Sequence, residues 1–406
     1  MDALSEANGT FAFHLLKILC QDSPSSNVFY SPVNISSALA RVFLRAKGST
    51  AAQMAQEKFC GVFEKEICFQ ALSLNLGKDI HQGFQSFLSK LNKSDKQYLL
   101  RMANRFFGEM TCEFLSSHTE HFFPKIFHES CLLFYHAELE QLSFAKATKQ
   151  SRKHVNTWVS KQTEGKIREL LPGNSIDADT RLLLVNAIYF KGRWNEQLNK
   201  TYTREMPFNI NQKEQRPVQM MFREAMFKLA CTEEVQAQLL ELPCAGEELS
   251  MLILLPDDHV DLSLVEENLT FEKFRAWTKP DHLRSAAGEV FLRRFTLEGS
   301  YDMESVLQRL GIVDAFQRDK VDFSAMSAGR HLCLSKLVPK SFVEVNEEGT
   351  EAAAASAELV TECCMVYGAR IWADHPFLVF IWHTKPTAFC SVACFPHPKE
   401  MHWLCV

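Results

Sequence analysis

From Arg181 to Phe190 the chain is apolar at almost every position, with Asn186 the interruption (RLLLVNAIYF). A strand with one wet face alternates polar and apolar residues. A run like this one suits a strand covered on both faces, in the middle of a sheet. A chain of 406 residues with 46% hydrophobic residues and 32 phenylalanines can supply a large core. Length alone would suggest two or three domains, yet no Pro/Ser-rich run, charge block or low-complexity tract marks a linker.

The periodicity around that strand is mixed. Phe11, Leu15, Leu16 and Leu19 fall at helical spacing and predict a first helix with one apolar face. Asn27 to Pro32 reads as a short buried strand running into a helix start. Helices are predicted over Ser36–Ala46 (stopped by Gly48), Gln53–Phe59, Phe84–Leu91 and Ser151–Gln162, the last with Val155, Trp158 and Val159 on one face. Glu64–Gln82 is the least periodic segment and is read as a mobile connection. Strands are predicted over Tyr98–Phe107, Leu249–Leu255, Glu289–Phe295 and Leu332–Asn346, and Tyr301-Asp302 opens a helix that Gly311 ends. Helices come mostly first and strands mostly later, without βαβ alternation, which argues an α+β fold.

Charge and cysteine usage narrow the function. A net charge of −5 gives no electrostatic case for nucleic acid or an anionic membrane as partner. Thirteen cysteines are scattered without repeated spacing, so thiols in a reducing compartment are expected rather than a secreted disulfide framework. The acidic start and the His14 and Lys17 of the first apolar stretch argue against a cleaved signal. No phosphate-binding glycine loop, H-E-x-x-H or G-x-S-x-G motif occurs. Cys390 and Cys394 stand four apart with no second ligand pair nearby in sequence, so no metal and no cofactor is expected. Cys363-Cys364 could supply a catalytic thiol in principle, but nothing else points that way.

The stretch from Glu344 to Pro376 carries the most specific pattern. Glu344-Val345-Asn346-Glu347-Glu348-Gly349-Thr350-Glu351 leads into four alanines, Ala352 to Ala355, and the segment closes on Ala373-Asp374-His375-Pro376-Phe377. Small side chains after a glycine suit a segment that slots tightly between strands. On composition alone, a small-residue helix or a surface loop fits better. Resemblance decides the matter: the stretch resembles the hinge, reactive loop and C-terminal signature of a serpin. Asn27 to Ala38, Asn156 to Val159, Thr163 to Ile167, Val185 to Trp194, Pro217 to Met221 and Glu248 to Met251 are similar to further serpin motifs. The likeness runs from residue 1 to about 398 and is greatest to the intracellular, ovalbumin-type branch, in particular its granzyme-inhibiting members.

The resemblance implies one domain over 1–398 and a C-terminal extension over 399–406. It implies an α+β serpin fold with about nine helices around three β-sheets and an exposed reactive-centre loop over 344–372. It implies an inhibitor rather than an enzyme. A target serine protease, granzyme-like and with a cysteine protease as alternative, would cleave the loop, become acylated and be carried along as the loop inserts into a sheet. The hinge is then Glu348, Gly349, Thr350, Glu351, Ala352, Ala353, Ala354 and Ala355. Counting from Gly349 places the reactive bond at Cys363–Cys364, whereas aligning on Glu-Cys-Cys-Met places it at Glu362–Cys363. Ser31, Asn34, Asn186, Trp194 and Pro339 fall in the region that controls sheet opening. The protein is expected to be a cytoplasmic monomer prone to polymerise, with nuclear location or release as alternatives. A serpin fold acting only as substrate or binding module is the competing function.

Four departures from the family pattern bear on that choice. Pro339 replaces a histidine that bonds the asparagine matching Asn186, which would leave Asn186 unpaired unless Asn34, standing for a serine, compensates. Glu358 shares parity with Thr350, Ala352 and Ala354 and would turn inward on insertion. Ser391-Val392-Ala393-Cys394 replaces Phe-x-Gly-Arg.

Overall fold

The computed structural model describes residues 2–55, 77–91, 99–112, 114, 138–191, 194–195, 198–244, 246–327, 332–347, 368–384 and 387–396. Helix α1 (Asp2–Asp22) covers the predicted first helix. Strand β1 (Val28–Tyr30) is wholly buried and ends at Ser31, the N-cap of α2 (Pro32–Phe43), whose hydroxyl accepts from the Asn34 amide. The helix begins ahead of the predicted Ser36 because Ser31-Pro32 is the start signal: a hydroxyl cap followed by proline at the first turn. Gly48, expected to stop a helix, instead begins α3 (Gly48–Ala55) with φ of +54°. Helix α4 (Gly77–Leu91) takes in the end of the predicted connection Glu64–Gln82. Phe84, Phe87, Leu88 and Leu91 are buried at helical spacing along it.

Strands β2 (Leu99–Glu109) and β3 (Glu138–Leu142) precede α5 (Phe144–Gln162) and β4 (Leu182–Lys191). A run of strands follows: β5 (Arg204–Asn211), β6 (Glu214–Thr232), β7 (Ala237–Pro243) and β8 (Leu249–Pro256). Two short helices, α6 (Leu262–Asn268) and α7 (Phe271–Trp277), come next, capped by Asp261 and Thr270. The predicted strand Glu289–Phe295 is two strands, β9 (Arg284–Arg293) and β10 (Phe295–Ser300), broken at Arg294, whose amide bonds Gln219 instead. Helix α8 (Met303–Arg309) runs between its Asp302 cap and Gly311 at φ +94°, as predicted. Strands β11 (Leu334–Val345), β12 (Ala369–Ala373), β13 (Phe377–Thr384) and β14 (Thr387–Phe395) complete the described chain.

The strands form two hydrogen-bonded networks. One is five-stranded in the order β10-β11-β4-β2-β3; the other is nine-stranded, β1-β14-β13-β8-β7-β6-β9-β12 with β5 on β6. Three sheets were expected; the described strands form two networks, the larger joined through the long β6, whose first residues pair β5, its middle β9 and its last residues β7. Eight α-helices lie among the described residues, none of them long and apolar enough to cross a membrane.

The apolar run that opened the sequence argument is the middle strand of the five-stranded sheet. Every residue from Leu182 to Phe190 is buried. Leu183, Val185 and Ala187 face Val155 and Val159 of α5, while Leu182 and Leu184 join Phe106 and the α1–α2 layer on the other side. Each buried leucine or valine among them contributes about 1.5–3 kcal/mol by leaving water. At the edge of this sheet Gly299 lets β10 approach β1, since a Cβ there would lie 1.8 Å from the carbonyl oxygen of Phe29.

Candidate functional site

Strands β11 and β4 run parallel and lie side by side, in register from Lys336↔Leu183 to Glu344↔Lys191 after a one-residue slip at Leu334↔Leu182. Their outer neighbours are antiparallel to them: β10 beside β11 and β2 beside β4. The segment after β11 leaves this seam at its end, where Asn346 and Glu347 are still buried. The hinge Glu348 to Ala355, Glu358 and the candidate bonds at Glu362, Cys363 and Cys364 lie outside the described residues, as does the extension 399–406. The chain returns at β12, which pairs parallel to β9.

Three groups of side chains hold the seam. Midway along it, Pro339 is in register with Asn186. Proline is tolerated here in part because β10 has ended: its last pair is Ser300↔Lys340, so on that side no strand awaits the missing N–H. Asn186 is fully buried, and the expectation that it loses its partner is corrected. The guanidinium of Arg41, on α2, donates to Asn186 Oδ1 at 2.6 Å. Arg41 Nε also donates to the carbonyl of Ser37 at 3.2 Å, and the guanidinium sits 5.4 Å from the Phe106 ring centroid. The Nδ2 of Asn186 has no hydrogen-bond partner among the described residues. Nor does Asn34 compensate: its Oδ1 is likewise buried without one. Ser31 Oγ, beside it, donates to the Cys390 carbonyl at 2.6 Å and so ties the α2 cap to β14.

Toward the hinge, the turn after α5 lays Lys166 across both strands. Its Nζ is 2.8 Å from Glu344 Oε2 of β11. It also lies 5.7 Å from the Tyr189 ring centroid on β4 and 5.8 Å from that of Phe342 on β11. The two rings meet edge to face at 5.6 Å. Burial pushes the Tyr189 hydroxyl up to about 12, with the neighbouring Glu344 and Glu164 carboxylates acting in the same direction.

At the end of the seam the Trp194 indole donates to the Asn346 carbonyl at 2.8 Å. Thr203 Oγ1 donates to Glu347 Oε1 at 2.8 Å, and Arg294 approaches the other carboxylate oxygen at 3.8 Å. These bonds fix the last residues before the hinge. Beyond the loop, His375 is held between Asp374 Oδ1 at 3.0 Å and the Pro256 carbonyl at 2.8 Å. Burial opposes its protonation, but the bonds to Asp374 and Pro256 outweigh it and raise its pKa.

The five control residues expected from sequence do not form one contact set. Pro339 and Asn186 meet in register on the seam, Ser31 and Asn34 lie together at the α2 cap, and Trp194 serves the hinge end. Sequence reasoning missed Arg41, Lys166 and Glu347. Arg41 had a signal: a lone arginine in a helix otherwise of apolar and small polar residues (PVNISSALARVF). Lys166 and Glu347 are ordinary surface types until the fold places them.

The geometry of the site is thus a pair of adjacent parallel strands, β11 and β4, in the five-stranded sheet, with the turn after α5 laid across them. Comparisons with known proteins give the family. The family model described as serpin (serine protease inhibitor) matches residues 6–396. The chain is 64% identical over 399 residues to human Serpin B9, covering 98% of this chain and 100% of that protein. It is 53% identical to human Serpin B8 and 44% identical to the horse leukocyte elastase inhibitor, at the same coverage. Among solved structures, uncleaved ovalbumin superposes with a TM-score of 0.82 at 32% identity, over 97% of this chain and 100% of that one. Maspin gives 0.84 at 30% identity, over 98% and 99%. The chain belongs to the serpin family, whose relatives at this level of identity are protease inhibitors and not enzymes.

Proposed function

We propose that this protein inhibits a serine protease by covalent trapping coupled to loop insertion. The observation that carries the reading is the parallel seam between β11 and β4. A segment that turns back directly from the end of β11 runs antiparallel to β11, and therefore antiparallel to β4 as well. Its insertion would replace one parallel interface by two antiparallel ones, which are slightly more stable per residue. The uninserted form is then metastable and held by a kinetic barrier.

In this reading the protease's serine Oγ attacks the carbonyl carbon of Cys363, the bond to Cys364 breaks, and the new amine takes a proton. The acyl-enzyme stays on Cys363 as Thr350 to Cys363 inserts. At about 3.3 Å per residue that segment carries the protease roughly 45 Å. If the bond is Glu362–Cys363 instead, a carboxylate is presented to the enzyme, which suits an acid-selective, granzyme-like protease. The 64% identity to human Serpin B9 supports a target of that type. None of the seven described cysteines is in a disulfide, which suits a reducing, cytoplasmic compartment. A monomer that polymerises when the seam opens follows from the same metastability.

A second reading, a loosely gated serpin that behaves largely as substrate, is favoured by the unsatisfied Asn186 Nδ2 and Asn34 Oδ1. An SDS-stable complex with granzyme-like, elastase-like and cysteine proteases separates the two. Thr350→Arg buries a charge on insertion and should abolish the complex while cleavage continues. Normal complex yield in that variant would sink the insertion mechanism. The mass of the released C-terminal peptide fixes the bond: Cys364 at its start supports Cys363–Cys364, and Cys363 at its start supports the alternative.

A further inference from the structure

Cys390 and Cys394, four apart on β14, do not share a face. The register between β13 and β14 slips between Ile381↔Ser391 and Trp382↔Phe389, so Cys390 is the extra residue of a bulge. The bulge sends Cys390 into one apolar layer and Cys394 into the other. What meets Cys394 comes from elsewhere in the chain: Cys20, in the last turn of α1, and Glu266 of α6. The two thiol sulfurs and a carboxylate oxygen all lie within 4.8 Å of one another. Cys394 donates to Glu266 Oε1 at 2.8 Å. Both cysteines are buried, at 8% and 2% exposure, while Glu266 reaches the wall of a surface groove that Asp258, Asp261 and Glu267 also line.

We propose that Cys20, Glu266 and Cys394 form a binding site for a thiophilic d10 cation of the zinc class, tying α1 and α6 to β14. Around a tetrahedral zinc with Zn–S of about 2.3 Å and Zn–O of about 2.1 Å, ligand atoms stand roughly 3.5–3.8 Å apart. The three atoms are already inside 4.8 Å, so side-chain displacements of about an ångström complete the geometry. Two sulfurs and one oxygen select zinc over the oxygen-seeking calcium and magnesium. On binding, the two S–H bonds break and their protons pass to water, two metal–sulfur bonds and one metal–oxygen bond form, and nothing is oxidised or reduced. Cys20, Glu266 and Cys394 all line that groove, which gives water a route to a fourth position. The groove is lined by Asp258, Asp261, Glu267 and Asp374 as well as by Lys17, Lys213 and Arg309, so acidic side chains outnumber basic ones along the path of a cation.

The test uses the full, reduced, chelator-treated chain titrated with cobalt(II) and followed by thiolate-to-cobalt charge-transfer absorption and tetrahedral d–d bands. One equivalent should give both signals, zinc should bleach them, and zinc should raise the thermal midpoint. Cys20→Ser and Cys394→Ser should lose the signals. Glu266→Gln should keep one-to-one binding but weaken it by at least the roughly 10–100-fold that loss of an outer-shell partner costs. Cys231→Ser, at an exposed cysteine outside the site, should change nothing. Near-ultraviolet circular dichroism reports whether each variant is folded. If Cys394→Ser does not fold, Cys20→Ser and Glu266→Gln decide. Cobalt thiolate bands that survive Cys20→Ser, or an affinity unchanged in Glu266→Gln, overturn the proposal, as does the absence of the bands from the parent protein. Mass mapping of a Cys20–Cys394 disulfide in protein isolated with thiols blocked would replace it with a redox pair.

Discussion

Arg41 donates to Asn186 across the interface between α2 and the middle strand of the five-stranded sheet, at 2.6 Å and with both residues fully buried. The bond joins the helix beneath the sheet to the strand that must part from β11 if a loop inserts. It therefore couples the helix layer to the state of the seam.

Arg41→Met removes that donor and leaves Asn186 Oδ1 orphaned, at a cost of about 1–3 kcal/mol. The thermal midpoint should fall by several degrees, and the fraction of polymer after mild heating should rise. A midpoint equal to that of the parent would show that the bond does not hold the seam.

Pro339→His places a ring nitrogen in register with Asn186, beside the Nδ2 that has no partner among the described residues. A hydrogen bond there contributes about 0.5–1.5 kcal/mol, partly offset by the lost rigidity of proline in the unfolded chain. The expected result is a slightly higher midpoint and more inhibited protease per molecule of inhibitor. No change in either quantity would mean that the proline does not loosen the gate.

Lys166→Met deletes the stitch between Glu344, Tyr189 and Phe342. Its ion pair is partly exposed, with side chains 39% and 23% accessible, so the stability change should stay below about 1 kcal/mol. The rate is the sharper readout, since opening the seam breaks these contacts. A loss of about 1 kcal/mol from the barrier accelerates opening roughly fivefold. Polymerisation kinetics at fixed temperature measure this, and an unchanged rate would place the opening elsewhere.

Two histidines should give stability a maximum near neutral pH. Burial lowers His81 to about 4, so it stays neutral in the fold while the unfolded chain titrates at 6.5. Its contribution is present above pH 6.5 and is lost as pH falls toward 4. His375 is raised: burial works against this, but its bonds to Asp374 and Pro256 prevail. Its contribution is full below 6.5 and is lost as pH climbs through the raised value. Urea midpoints against pH should therefore show His81→Gln flattening the acid limb and His375→Gln the alkaline limb. Parallel curves for parent and variants would refute both assignments.

Much of the local structure was legible in sequence because it is local. The run from Leu182 to Phe190 declared a doubly covered strand by lacking alternation, and Asp302 and Gly311 marked the two ends of α8. The hinge and signature residues, recognisable as a pattern, carried the family with them. What sequence misjudged were boundaries set by caps rather than periodicity, as at Ser31 and Gly48, and a strand broken by a bond to a distant carbonyl at Arg294.

The remaining features depend on where unrelated segments meet. Nothing in the spacing of residues 41 and 186 announces a hydrogen bond, because the pair exists only once α2 packs under β4. Cys390 and Cys394 stand four apart in sequence, yet a single-residue bulge turns the two to opposite faces, and Cys20 and Glu266 are brought to the latter. Periodicity reports which face of its own element a side chain occupies. The partner it meets there is chosen by the register and packing of other elements, which long-range burial fixes, and that choice belongs to the tertiary structure alone.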